Sequence, residues 1–201
     1  MKIIIASDIH GSAKYCKALL DAFESSGAEK LALLGDILYH GPRNPLPDGY
    51  DPQAVVGMLS AIKEKIICIR GNCDAEIDGM LLPFPLCDYS YIYCDKLNIC
   101  LSHGHREVPP LGKDDIYVTG HTHVPQNSDE EGFLHLNPGS VSLPKEESAR
   151  GYILYENRKF SFMTLEGEKY DERDLTPPEG EPIVRKMPTV RRKVIKRRRI
   201  I

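Results

Sequence analysis

Residues 2–11 read KIIIASDIHG: a lysine, four apolar residues, then Ser7, Asp8, Ile9, His10 and Gly11. The apolar run is too short for the core of a signal peptide and predicts a buried strand. The strand ends in an aspartate and a histidine beside a glycine. A helix is expected next, to about residue 26. Ala13, Cys16, Leu19, Leu20 and Phe23 recur at helical spacing, and Gly27 is a natural stop. A second strand is expected at 30–34. A loop at 35–50 follows, with three Gly and three Pro. Asp51 and Pro52 then supply an N-cap and a first helical position. That helix is expected to reach about residue 65, before a third strand at 66–69. Strands alternating with helices predict a parallel sheet with right-handed crossovers.

The pattern changes after residue 86. Short strands are expected at 89–93, 98–102, 116–119, 132–136, 151–156 and 160–164, with few helices between them. Tyr89, Tyr91 and Tyr93 alternate, as packing residues of a half-buried strand would. The apolar periodicity ends near Leu165. Expected boundaries are a domain at 1–165, an acidic Pro/Gly-rich linker at 166–184 and a basic tail at 185–201. The tail holds nine of the 26 Lys and Arg and no acid, which leaves 17 basic against 29 acidic residues before it.

A chain of 201 residues with 41% apolar composition supports one globular domain with a substantial core. No apolar run approaches the roughly 20 residues that span a bilayer. With no export signal the expected location is cytoplasmic. The six cysteines show no C-x-x-C spacing and are expected to be reduced there.

Five expected strands end in metal-capable side chains. Asp8 and His10 follow the first, Asp36 the second, and Asn72 the third. His103 follows 98–102, and His121 and His123 follow 116–119. In open α/β sheets, ligands gather at the carboxyl ends of strands. Carboxylate and imidazole donors suit Mn, Fe, Zn, Co or Ni better than Ca or Mg. Seven donors exceed one tetrahedral site and suit two ions sharing a carboxylate, a device for attacking phosphorus esters. Two divalent ions against Asp8 and Asp36, with neutral Asn72, leave a site that attracts a phosphodiester anion.

In this order D-x-H, G-D, G-N-x-D, H-G and G-H-T-H resemble the calcineurin-like metallophosphoesterase superfamily. The strings SDIHG, LGDILYHGPRN, IRGNCD, LSHGH, GHTHVP and LNPGSVS look like its small bacterial YfcE-type phosphodiesterases. The resemblance spans about residues 1–165 and implies an α/β fold, a four-layer α/β/β/α sandwich with two central sheets. It implies one metal held by Asp8, His10, Asp36 and His123. Asp36, Asn72, His103 and His121 would hold the second, with Asp36 bridging. The implied activity is that of a metal-dependent phosphoric diester hydrolase in which a metal-bridging hydroxide attacks phosphorus. Manganese is the expected ion, with Ni, Zn, Fe or Co as alternatives.

Larger members of the superfamily place histidine after the G-N asparagine, to protonate the leaving group. Here that place is Cys73, as in the YfcE-type branch. His105, Cys73 and His40 are the candidate catalytic acids, while an aryl oxide would leave without one. Cys73 as a nucleophile is disfavoured. His40 and Arg43, in the long loop, are candidate substrate contacts. Asp74 either orients a ligand histidine or caps a helix at 74–82. Residues 137–140, NPGS, shape a turn near the site. The expected partner is a small or nucleotide-like phosphodiester. A homo-oligomer is expected, and the basic tail is a candidate contact for nucleic acid or another polyanion. A nuclease using that tail, and a non-catalytic protein-binding scaffold, are the alternative functions.

Overall fold

A computed structural model describes residues 1–178; the basic tail at 185–201 lies outside the described residues. The first strand, β1 (Lys2–Ala6), is buried on both faces because its side chains alternate between two cores. Ile4 and Ala6 face a helical layer, whereas Ile3 and Ile5 face a second sheet. β2 (Lys30–Leu33) repeats the device, with Leu31 and Leu33 toward the helices and Ala32 toward the second sheet.

The helices start and stop where their caps dictate. α1 (Ala13–Ser26) is capped by Ser12, whose hydroxyl accepts from the Tyr15 amide at 3.2 Å, and ends at Gly27 in the left-handed region. α2 (Pro52–Ser60) is capped by Asp51, which accepts from the Ala54 amide at 3.0 Å. It is shorter than expected. The Ser60 hydroxyl bonds back to the Val56 carbonyl at 2.6 Å, and the chain tightens into a 3₁₀ turn at Lys63–Lys65 before β3 (Ile66–Ile69).

β1, β2, β3 and β4 (Leu86–Cys87) run parallel, as the crossovers predict. On its other side β1 pairs antiparallel with β10 (Gly151–Glu156), followed by β11 (Lys159–Thr164) and β12 (Lys169–Asp174). This makes seven strands in one sheet. The second sheet orders β5 (Ser90–Cys94), β6 (Leu97–Leu101), β7 (Asp115–Val118), β9 (Phe133–Pro138) and β8 (Pro125–Glu130). Ile99, Leu101, Val118 and Leu136 interlock with Ile153, Tyr155, Phe160 and Phe162 between the sheets.

The α/β class and two central sheets match expectation. The fourth, helical layer on the far side of the second sheet does not form among the described residues, where no helix follows α3 (Asp78–Leu81). Residues beyond 86 alternate at the strand period and offer no apolar stripe for a helix. Tyr91 and Tyr93 consequently stand exposed, and Ile92 takes the buried place between them.

Three strands were not expected. β4 has two residues, too few to show a period. β8 reads PQNSDE and β12 KYDERD, polar edge strands with no fully buried residue. β12 lies inside the stretch read as a linker. It also ties the two sheets at their edges: Arg173 donates to Asn127 and Asp129 of β8, and Asn127 donates to Asp171. A chain ending at Leu165 is therefore expected to melt below one ending at Pro178, by about 2–4 °C for each kcal/mol those contacts contribute. Equal midpoints in thermal denaturation would show that β12 adds nothing.

Candidate metal centre

The carboxyl ends of β1, β2 and β3 meet those of β6 and β7 across the seam between the sheets. The first two loops are zipped together by backbone bonds. The Asp8 amide donates to the Gly35 carbonyl at 3.1 Å, that of His10 to Asp36 at 2.8 Å, and that of Gly11 to Ile37 at 2.8 Å. Asp8, His10, Asp36, His121 and His123 all sit at φ between 50° and 68°, the left-handed region that side chains usually avoid. Such strain collects at functional sites where the surroundings over-determine the backbone. Two glycines make room. A Cβ on Gly120 would collide with Ser7 and Asp8, and one on Gly71 with Asp36.

Three imidazoles are aimed the same way. Their Nδ1 atoms lie against backbone carbonyls, which only accept: His10 on Tyr39 at 2.8 Å, His103 on Leu34 at 2.6 Å and His123 on Leu143 at 2.6 Å. Each Nδ1 therefore carries the proton, and in the neutral ring each Nε2 presents a lone pair. Those lone pairs converge. The Nε2 atoms of His10 and His123 are 3.1 Å apart, and Asp8 Oδ1 is 3.5 and 3.3 Å from them. That oxygen is buried without a hydrogen-bond partner. Asp36 Oδ2 lies 3.7 Å from His10 Nε2 and 3.5 Å from His103 Nε2, between the two groups. Asn72 Oδ1 is 3.1 Å from His103 Nε2, and the His121 ring stands 5.1 Å from that of His103.

Converging acceptors around a buried, unpartnered carboxylate oxygen fit divalent cations, which supply the missing positive partner. Asp8, His10 and His123 form one such group and Asp8, Asp36 and His103 another, each with donor atoms within 4.8 Å of one another. Asp8 is common to both, and His10, Asp36 and Cys73 form a third group.

The supports of these ligands were only partly legible. Asp74 neither orients a histidine nor caps a helix. Its carboxylate accepts from the amides of Asp36 and Gly71, at 2.8 and 2.7 Å, and of Ile37, at 2.8 Å. It clamps two ligand loops together. The stretch 137–143 does more than turn the chain. Ser140 and Ser142 donate to the Asp8 carbonyl at 2.8 and 3.0 Å, and Asn137 donates to the Gly120 carbonyl at 2.8 Å.

The other candidates divide. His105 lies beside the second group, its ring 5.3 Å from His103, with a buried Nδ1 that has no partner. Burial and the neighbouring His103 charge lower its pKa. Burial, with the nearby Asp36 carboxylate, pushes the Cys73 thiol up to about 12, so it is not a thiolate near neutrality. His40 packs edge-on between Tyr39 and Tyr50 and does not line the cleft over the ligands. Arg43 does line it.

In the metal-free chain burial favours a neutral His103 ring, but the Asp36 hydrogen bond and the Asp8 and Asp36 charges outweigh it. They hold its pKa up to about 9. A cation taking Nε2 must displace that proton. Apparent manganese affinity is therefore expected to rise up to about tenfold per pH unit until pH about 9, with proton release. Calorimetry in two buffers of different ionisation enthalpy measures both. An affinity independent of pH between 6.5 and 9 would contradict this assignment.

Comparison with known proteins identifies the family. The family model described as the calcineurin-like phosphoesterase superfamily domain matches residues 1–159. The chain is 42% identical to "Phosphodiesterase YfcE" of Escherichia coli K12 over 170 residues, covering 82% of this chain and 92% of that one. A solved structure of E. coli YfcE superposes with a TM-score of 0.84 at 40% identity, covering 88% of this chain and all of the other. Vps29 of Entamoeba histolytica, solved with zinc, shares the fold at 19% identity and a TM-score of 0.57, over 87% of this chain and 99% of its own. The chain belongs to the calcineurin-like phosphoesterase superfamily.

Proposed function

We propose that this member of the family hydrolyses phosphodiesters with two divalent cations. Asp8, His10, Asp36 and His123 would hold the first, and Asp36, Asn72, His103 and His121 the second, with manganese the expected ion. The observation that carries this reading is the shared aim of His10, His103 and His123, anchored at Nδ1, with Nε2 turned toward Asp8 or Asp36. When bound, such cations would supply an activated water and neutralise charge that builds on phosphorus. The chain's own part is placement. The Asp36 carboxylate is held at Oδ1 by the Cys73 amide at 2.8 Å, which turns Oδ2 toward His10 and His103 between the two groups. The cleft above the ligands has a volume of about 400 Å³, in the range of small-molecule sites. It suits a small or nucleotide-like diester.

His105 does not line the cleft, but its ring stands 5.3 Å from that of His103 and 6.2 Å from that of His121, which makes it the candidate to give the leaving oxygen its proton. Because its pKa is lowered, the protonated form is scarce at neutral pH and grows as pH falls. Leaving groups of low basicity, such as aryl oxides, need that proton least.

Two experiments test the proposal. Protein stripped of metal and reloaded with Mn, Ni, Zn or Mg is assayed on a chromogenic diester and monoester; no turnover with any ion would end the reading. Asp36→Asn and His121→Ala are expected to lower diester turnover by about 100-fold or more while circular dichroism stays unchanged, and near-normal rates would remove those ligand roles. His105→Ala is expected to cost about 10- to 100-fold on a dialkyl diester and much less on bis(4-nitrophenyl) phosphate. Equal losses on both would exclude His105 as the acid.

A further inference from the structure

One lysine of the cleft has no role in the chemistry above. Lys145 lines the same cavity as Arg43, facing the ligands Asp36, Asn72, His121 and His123. Arg43 comes from the loop after β2 and Lys145 from the loop after β9. Lys145 is fixed to the site through its backbone. Its amide donates to the His123 carbonyl at 3.2 Å, and its carbonyl accepts from the amide and hydroxyl of Ser148 at 3.0 and 2.6 Å. The turn between runs through two successive left-handed residues, Glu146 and Glu147, at φ 53° and 59°. Neither Arg43 nor Lys145 forms an ion pair among the described residues.

Charge separates the possible uses of these two side chains. Two divalent cations against Asp8 and Asp36 leave two positive charges, which the hydroxide nucleophile and a diester anion balance. Arg43 and Lys145 add two more at the rim. That surplus does not match a substrate with a single anionic group. Guanidinium and ammonium groups recognise phosphate oxygens, the first in bidentate fashion and the second as a point charge.

Resting on the phosphodiesterase reading, we propose that Lys145 and Arg43 form a second phosphate subsite. The substrate class it selects is a phosphodiester that carries a further phosphate on one of its alcohol groups, as in a short oligonucleotide. The two cations grip that second phosphate while the scissile one sits over the metal ligands. Lys145 and Arg43 thereby set specificity, and they take no part in bond breaking.

The test compares two competitors of bis(4-nitrophenyl) phosphate hydrolysis by the manganese-loaded full chain. One is the thymidine dinucleoside monophosphate TpT, and the other its 5′-phosphorylated form pTpT. In the wild type pTpT is expected to show a Ki about tenfold or more below that of TpT, an advantage that shrinks as salt is added. Lys145→Ala and Arg43→Ala are each expected to cut the advantage below about threefold, and Lys145→Arg to keep most of it. TpTpT tells whether a neighbouring diester serves as well as a terminal phosphate. Equal Ki values for TpT and pTpT in the wild type, or an advantage that survives in either alanine variant, would overturn the subsite. If the loaded wild type does not hydrolyse bis(4-nitrophenyl) phosphate, the phosphodiesterase reading falls instead. Calorimetric Kd values for the same two ligands then still decide whether the subsite exists.

Discussion

Two imidazole nitrogens, His10 Nε2 and His123 Nε2, face each other at 3.1 Å beside a buried carboxylate oxygen that has no donor. Lone pairs packed so closely repel unless positive charge lies between them. The metal-free chain answers with protons. Burial works to raise the Asp8 pKa, but the His10 and His123 rings beside it and the His103 charge hold it far below the carboxylate range. The same carboxylates raise His10 and His103. A divalent cation meets the same electrostatic demand without blocking the nitrogens. The site is thus poised for cations by its geometry, and the rest of the fold maintains that geometry against repulsion and strain.

Left-handed backbone at Asp8, His10, Asp36, His121 and His123 is unfavourable at each position. What offsets it is a layer of hydrogen bonds to groups that bind no metal. Asp74 gathers three amides from two loops, and Ser140 and Ser142 share the Asp8 carbonyl. Asp74 is only 7% exposed. Removing its carboxylate would leave three amides without an acceptor, each costing about 1–3 kcal/mol where buried. Stability and site geometry are therefore linked through the same side chain.

The sequence shows the candidate ligands plainly because they follow apolar runs, and all but Asp8 and His123 sit directly beside a glycine. β1 and β3 were legible to the residue, since their side chains are largely buried and nothing polar interrupts the run. β8 and β12 were invisible for the opposite reason. An edge strand held by backbone bonds and surface charges leaves no apolar period to read. The clamp made by Asp74 is hidden because two of its three amide partners lie 37 and 38 residues away, a relation that no local spacing reports. Lys145 escaped notice for a similar reason. Only the folded chain shows that its amide hangs from His123.

The position of the site at the seam of the sheets has a consequence of its own. Asp8, His10, Asp36 and Asn72 follow strands of one sheet, while His103, His121 and His123 follow strands of the other. Neither sheet alone supplies both groups of donors. The distance between them is set by the apolar layer in which Phe160 and Phe162 meet Leu101, Val118 and Leu136. Close packing makes that layer stiff, because a lost or added methylene is felt by its neighbours. Core volume far from the chemistry thereby sets the separation of carboxylate and imidazole at the site. His103 reaches across the seam to the Leu34 carbonyl and Asp36, and His121 donates through its amide to Asp8. These cross-sheet bonds transmit the spacing of the core directly to the ligands.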